Sequence, residues 1–176
     1  MAGTYSKGLE GVIAAETKIS FIDGEKGVLE FVGIPVGELA SNSTFEETVF
    51  LLWNGRLPKA AELADFQKNI RSRYQLPKYI HDLIVSMPKD AQPMHVMRTA
   101  ISAMGLVDPK PNLTDLPSVR DKALTLLAAA PTMLGLFQRH RTGQPEITPD
   151  PNMSIAENVL YMISGKKPTA TMACRL

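Results

Sequence analysis

The longest nearly apolar run of the chain, LTLLAAAPTMLGLF at positions 124–137, constrains the fold more than any other feature. It lies inside a predicted helix from Ser118 to Arg141 and is apolar on all sides rather than along one stripe. Other parts of the protein must therefore cover this helix all round. Residues 128–130 and Gly135 are small enough to let a neighbouring helix approach closely, and Pro131 predicts a kink.

Amphipathic periodicity predicts five further helices. The first has capping-box spacing, with Thr44 as the N-cap and Glu47 reaching back to its amide, and Gly55 ends it. The others run over about 59–74, 77–87, 93–105 and 154–163, with Gly165 as the last stop. The predicted buried positions are Phe45, Val49, Leu52 and Trp53, then Leu63, Phe66 and Ile70, then Ile80, Leu83 and Ile84, then Met94, Met97, Ile101 and Met104.

A β-hairpin is predicted near the start of the chain. Positions 17–22 alternate polar and apolar side chains and place Ile19 and Phe21 on one face, 23–27 supply turn chemistry, and 28–32 return. An isolated two-stranded hairpin is only marginally stable, so we expect it to lie on something larger.

Taken together, these elements predict one all-α unit over residues 1–176, mainly helical from position 44 onward, with a small amino-terminal hairpin at about 17–32. Nineteen basic and eighteen acidic residues give a net charge of +1, which argues against nucleic-acid and membrane-surface proteins. The single cysteine, Cys174, has no internal disulfide partner and no catalytic framework around it, so we expect a reducing, cytoplasmic setting. The amino terminus lacks the apolar core of a signal peptide, and the run at 124–137 is too short to cross a bilayer.

The three histidines lie in different predicted helices without the spacing of a metal site. His81 stands beside Asp82, but adjacent helix residues point apart, which favours a solvated position over a general base. His95 falls between two methionines and is expected at a surface or interface edge. Arg139-His140-Arg141 has the charge to bind an anion, but as the basic last turn of a long helix it complements the helix dipole.

The carboxylates add no catalytic group. The Asp23–Gly27 segment matches neither glycine-rich phosphate fingerprint and precedes a strand, so it is interpreted as a hairpin turn. Glu46 and Glu47 are explained by helix capping and dipole effects, and Glu10 and Glu16 by solvation. The residues alone therefore predict no catalytic, cofactor-binding or metal-ligating residue in this chain.

Four ordered segments, 8–58, 88–105, 126–143 and 150–168, resemble the amino-terminal part of citrate synthases. They read GLEGVIAAETKISFIDGEKGVLEFVGIPVGELASNSTFEETVFLLWNGRLP, PKDAQPMHVMRTAISAMG, LLAAAPTMLGLFQRHRTG and DPNMSIAENVLYMISGKKP. The sequence departs from the family where Val32-Gly33 replaces Arg-Gly, Gln92 replaces a histidine, and Ile155 replaces a histidine or tyrosine.

The resemblance implies an acyltransferase of the tricarboxylic acid cycle that condenses acetyl-CoA with oxaloacetate, without a further cofactor. In this family one aspartate and two histidines do the chemistry, and they belong to motifs that follow the four segments. Because the sequence stops before those motifs and its residues 169–176 drift from the family pattern, we expect a truncated chain that is inactive alone.

The resemblance also implies a homodimer, formed through the helices Met94–Gly105 and Ser118–Arg141. Two alternatives remain open at this stage. One is a fragment of a 2-methylcitrate synthase, a relative that shares these segments. The other is a non-catalytic helical module that dimerises with an intact synthase.

Overall fold

The computed structural model describes residues 8, 12–13, 15–169 and 172. In this part of the chain, a short antiparallel sheet and one short helix precede six longer helices. The elements are β1 (Ser20–Asp23), β2 (Val28–Phe31), β3 (Ile34–Pro35), α1 (Val36–Asn42), α2 (Phe45–Asn54), α3 (Ala60–Arg71), α4 (Lys78–Ser86), α5 (Pro93–Met104), α6 (Leu116–Thr142) and α7 (Ile155–Ser164). The predicted all-α fold with a small amino-terminal β element is confirmed.

Helix α6 lies at the centre of the packing, and α3, α4, α5 and α7 all pack against it. Every residue from Leu124 to His140 is buried or half-buried, so the predicted coverage on all sides is confirmed. The side chain of Asp115 caps the start of α6 by accepting from the Ser118 amide at 3.0 Å, and Gly143 ends the helix in the left-handed conformation. Pro131 lies inside α6 without ending it.

Two apolar clusters share α6. The first joins α4, α5 and α6, and the second joins α3, α6 and the start of α7. The buried members of the first are Ile80, Ile84, Val96, Ala100, Ala103, Met104, Ala129, Met133, Leu136 and Phe137; those of the second are Ile70, Tyr74, Leu124, Ala128 and Ile155.

The closest approach to α6 is made by α7. A Cβ atom placed on Gly135 would lie only 2.5 Å from Cβ of Met162, a side chain that is fully buried. The backbone of α6 therefore leaves no room for a methyl group at this point. The sequence-based expectation that a small residue admits a neighbouring helix is confirmed at Gly135.

The predicted buried stripe of α5 is wrong at two of its four positions, whereas Met104 is buried in the first cluster and Met97 packs against it. Met94 and Ile101 are 69% and 40% exposed, whereas Ala100 and Ala103 face α6 in the first cluster. Size-weighted hydrophobicity favours methionine and isoleucine as core residues, but two closely packed helices bury small side chains between them. Met94 and Ile101 consequently lie outside this cluster, whereas Val96 and Met104 are buried in it.

The amino-terminal region has more structure than predicted. The hairpin β1–β2 gains a third strand, β3, and α1 precedes the expected first helix, with Leu39 as its buried residue. A stripe of one buried residue in a seven-residue helix is too weak to be recognised by periodicity. Phe21 and Ile19 remain more than half exposed. Among the described helices, α1 makes the main contact with the sheet, through β2 and β3.

The turn between β2 and β3 is strained at Val32. Phe31 pairs with Ile34, which leaves a two-residue turn in which Val32 has φ 53° and Gly33 has φ 77°. Positive φ at both central residues is the requirement of a type I′ hairpin turn. A β-branched residue is disfavoured there by about 1–2 kcal/mol, because its Cβ crowds the carbonyl oxygen. This is one of the positions where the sequence departs from the pattern it resembles.

The contact between α6 and α7 generates a stability prediction. Gly135→Ala is expected to lower the free energy of unfolding by about 1–3 kcal/mol, because the added methyl group forces the two helices apart. The measurement is urea unfolding followed by circular dichroism. Gly37→Ala in α1, where an added Cβ meets nothing within 4 Å, is the matched control and is expected to be neutral or slightly stabilising. Equal loss of stability in the two variants would contradict the prediction.

Candidate functional site

Helix α4 presents His81 between two carboxylates. Its Nε2 atom lies 2.9 Å from Oε2 of Glu146, in the loop after α6, and its Nδ1 atom lies 3.3 Å from Oδ1 of Asp82. The expectation that His81 and Asp82 point apart is therefore wrong, because their polar atoms lie within contact distance. Glu146 was missed, since nothing in the sequence links it to a residue so distant along the chain.

This arrangement does not make His81 a general base. The hydrogen bond with Glu146 is the main cause that raises the pKa of His81, and the contact with Asp82 adds to it. A carboxylate only accepts hydrogen bonds, so an imidazole with a carboxylate at each nitrogen donates from both and keeps no lone pair for a proton. His81 is about one-third exposed, which fits an ion-paired surface position.

The other two histidines lie on different helices. His95 is exposed on α5, as expected for a surface or interface edge. On α6, Nε2 of His140 lies 3.0 Å from the carbonyl oxygen of Met87. The neighbouring Arg139 donates from Nε to the carbonyl oxygen of Pro145 at 2.8 Å. The basic residues occupy the last turn of α6, as predicted, so they complement its dipole.

The remaining candidates have structural roles where they are described. The Asp23–Gly27 segment forms the β1–β2 turn, in which Asp23 accepts from the amide of Lys26 at 3.0 Å. This confirms a hairpin turn rather than a phosphate loop. Glu16 is exposed, whereas Glu10 and Cys174 lie outside the described residues.

Glu46 has a role that capping of its own helix does not explain. Its carboxylate is 3% exposed, and Oε1 accepts from the backbone amide of Ile155 at 2.9 Å, at the first residue of α7. The partly positive N-terminus of α7 stabilises this buried charge. Glu47, by contrast, completes the predicted capping box of α2 with Thr44.

Tyr74 and Asn158 continue this buried polar region. The Tyr74 hydroxyl donates to the carbonyl oxygen of Met153 at 3.1 Å, and Asn158 binds both the amide and the carbonyl of Asp150. Burial, with the Glu46 charge adding to it, raises the pKa of Tyr74 to about 12. Tyr74 is therefore neutral at physiological pH, and the cluster holds the loop before α7 rather than moving protons.

A groove of about 690 Å³ opens between the end of α5 and the first half of α6. Its apolar lining includes Ile101, Met104 and Leu126, and Lys122 stands at its edge. The Lys122 ammonium donates to three backbone carbonyl oxygens of the 110–113 segment, at 2.7, 3.1 and 3.0 Å, and pairs with Asp108 at 3.1 Å. The groove thus exposes apolar surface, and the hydrogen bonds of Lys122 hold the 110–113 segment against α6.

The described residues do not bring the candidate side chains together. His81, His95 and His140 lie on α4, α5 and α6 with different partners. Within residues 8, 12–13, 15–169 and 172, no group of three histidine, cysteine or acidic side chains is placed to hold a metal ion. Over the same residues, no helix has both the length and the apolarity to cross a membrane.

Comparisons with known proteins agree with one another. Residues 8–176 match the family model described as "Citrate synthase, C-terminal domain". The citrate synthase of Deinococcus radiodurans is 37% identical over 168 residues, covering 96% of this chain and 45% of that protein. A 2-methylcitrate synthase 2 of Corynebacterium glutamicum is 44% identical over 162 residues, covering 92% of this chain and 42% of that protein.

Solved structures give the same result for the fold. The citrate synthase of Thermotoga maritima superposes with a TM-score of 0.83 at 33% identity, over 95% of this chain and 43% of that one. The enzyme from Pyrobaculum aerophilum gives 0.86 at 30% identity, over 94% and 44%. The chain therefore spans a little under half the length of the relatives it matches.

The bond from Glu46 to α7 generates the prediction for this site. Glu46→Ala is expected to lower the free energy of unfolding by about 1–3 kcal/mol, because the buried Ile155 amide loses its acceptor. Glu46→Gln keeps an acceptor oxygen and is expected to cost less. Urea unfolding compares the parent protein with both Glu46 variants. Asp65→Ala, on the exposed face of α3, is the control, and its free energy of unfolding is expected to stay within about 0.5 kcal/mol of the parent's. A Glu46→Ala variant as stable as the parent would show that the bond is dispensable.

Proposed function

We propose, from the premise that this chain belongs to the citrate synthase family, that it forms the amino-terminal part of the large helical domain of a citrate synthase. Such an enzyme joins acetyl-CoA to oxaloacetate in a Claisen-type condensation and then hydrolyses the thioester to release citrate. The observation that carries the proposal is the agreement of nearly the whole chain, in sequence and in fold, with citrate synthases.

The role we assign to these residues is that of a scaffold. In the family's reaction, an aspartate removes a methyl proton of acetyl-CoA, one histidine stabilises the enol and another polarises the oxaloacetate carbonyl. The motifs that carry these groups do not occur in this sequence. Two of its three histidines are engaged elsewhere, since His81 contacts carboxylates and His140 contacts a backbone oxygen. We place the protein in the cytoplasm, the setting expected for its single cysteine.

The 176-residue polypeptide by itself is expected to show no turnover, because it lacks those motifs. The measurement is release of free CoA thiol from acetyl-CoA in the presence of oxaloacetate. The intact citrate synthase of Deinococcus radiodurans serves as the positive control. Thiol release that requires oxaloacetate and rises in proportion to the purified chain would overturn the expectation.

A second candidate is 2-methylcitrate synthase, which uses propionyl-CoA in place of acetyl-CoA. It is favoured by the 44% identity to the Corynebacterium glutamicum enzyme, which exceeds the 37% to the Deinococcus radiodurans one. The product of the whole gene, assayed with both thioesters, separates the two activities. A higher kcat/KM for propionyl-CoA would assign the second one.

We further propose that the chain forms a homodimer through α5 and α6. The proposal is supported by exposed apolar residues on and beside these helices: Met94 on α5 is 69% exposed, Leu106 just after α5 is 75% exposed, and Leu116 at the start of α6 is 64% exposed. The apolar groove between α5 and α6, lined by Ile101 and Leu126 among others, adds further apolar surface. Contiguous apolar patches of this kind are uncommon on monomers and are typical of protein interfaces. A non-catalytic dimerisation module would use the same surface without any chemistry.

Ile101→Lys is expected to weaken self-association at least about tenfold, because it places a charge in the centre of the apolar surface. Light scattering and sedimentation measure the dimer fraction over a concentration series. Ala64→Lys, which adds the same charge to the exposed face of α3, is the control and should leave association unchanged. A monodisperse monomer in the parent protein, or equal association in both variants, would contradict the proposed interface.

A further inference from the structure

We propose that His81 and Glu146 form a proton-dependent clamp that holds the loop between α6 and α7 against α4 while His81 is doubly protonated. The two residues are distant in sequence and come from different parts of the fold. Glu146 follows closely after the end of α6, and His81 lies in the middle of α4. Their contact is independent of the proposed function, so the two are tested separately.

The geometry itself requires the extra proton. Both ring nitrogens of His81 lie within hydrogen-bond distance of carboxylate oxygens, 2.9 Å at Nε2 and 3.3 Å at Nδ1. Neutral imidazole has one N–H donor and one bare nitrogen, whereas a carboxylate offers acceptors only. A neutral ring would therefore set a lone pair against carboxylate oxygen at one of its nitrogens. The imidazolium satisfies both contacts and adds charge attraction.

The two side chains that contact the His81 ring are both carboxylates. On α4, Asp82 contacts the ring and is itself paired with Lys78, and the loop contributes Glu146. At the end of α6, Arg139 and His140 contact the backbone oxygens of Pro145 and Met87, and neither pairs with His81. α5, which also packs on α4, carries Arg98 and His95, both exposed, and no bond from either reaches His81 among the described residues.

The clamp therefore responds to pH in a defined direction. Its contacts raise the pKa of His81 above the ordinary value of 6.5, with the Glu146 hydrogen bond as the largest cause. A raised folded pKa means that the stabilisation is fully present below about pH 6.5 and is lost as the pH rises through the folded value. Ion pairing with Lys78 and His81 lowers the pKa of Asp82, which keeps that carboxylate charged throughout this range.

Two backbone amides on either side of Glu146 report whether the loop is held. The Gln144 amide donates to the carbonyl oxygen of Arg139 at 2.9 Å, and the Asp150 amide donates to Oδ1 of Asn158 at 2.8 Å. Loosening of the loop exposes such amides to solvent and accelerates their hydrogen exchange relative to the intrinsic rate.

The test combines NMR titration of the histidine rings with amide exchange in the full chain. Both are measured from about pH 5.5 to about pH 8.5, a window that brackets the ordinary histidine pKa. The variants are Glu146→Gln, which keeps the side-chain volume without the charge, and His81→Gln. His95→Gln, at an exposed position of α5, is the control, and the loss of its signal assigns the His95 resonance. Glu146 is itself partly exposed, so its variant is expected to fold.

In the parent protein and in the His95→Gln control, His81 is expected to titrate above its ordinary pKa. The protection of the Gln144 and Asp150 amides should fall as His81 loses its proton. In Glu146→Gln the pKa of His81 should drop, and in both clamp variants the pH-dependent step in protection should disappear. An unchanged His81 pKa in Glu146→Gln would overturn the proposal. So would loop protection that stays constant while His81 titrates.

Discussion

Coverage of helix α6 is the constraint on which the rest of the structure depends. A helix that is apolar on every side has no stable surface to leave in water, so α3, α4, α5 and α7 are arranged around it. The choice of small residues then decides how closely each neighbour approaches. Ala100 and Ala103 bring α5 in, and Gly135 brings α7 so near that a methyl group would collide with Met162. Packing rather than chemistry determines these positions.

Buried polar groups fix the orientation of the outer helices around this centre. Glu46 connects α2 to the start of α7, and Tyr74 reaches the loop before α7. Thr132, inside α6, donates to the carbonyl oxygen of Tyr74 at 2.8 Å. Among the described residues, no buried side-chain nitrogen or oxygen lacks a hydrogen-bond partner. Because a buried polar group without a partner is costly, these bonds make other arrangements of the helices unfavourable.

Local signals in the sequence predicted much of this fold, and long-range ones were out of reach. The capping box at Thr44 and the left-handed stop at Gly165 each depend on a few adjacent residues, and both were located correctly. The buried face of α5 was located only in part, since Met104 is buried but Met94 and Ile101 are exposed, and Ala100 and Ala103 pack against α6 instead. The contacts of Glu146 with His81 and of Glu46 with Ile155 could not be predicted, because each joins elements far apart in the chain.

The described part of the chain leaves large apolar side chains on several outward faces. The hairpin carries exposed apolar side chains such as Phe21, and so do α5 and the start of α6. Apolar area left in water contributes nothing to folding, whereas covering it gives about 25 cal/mol per Å². The fold is thus built around one buried helix, and the apolar area on the hairpin, on α5 and at the start of α6 does not contribute to its stability.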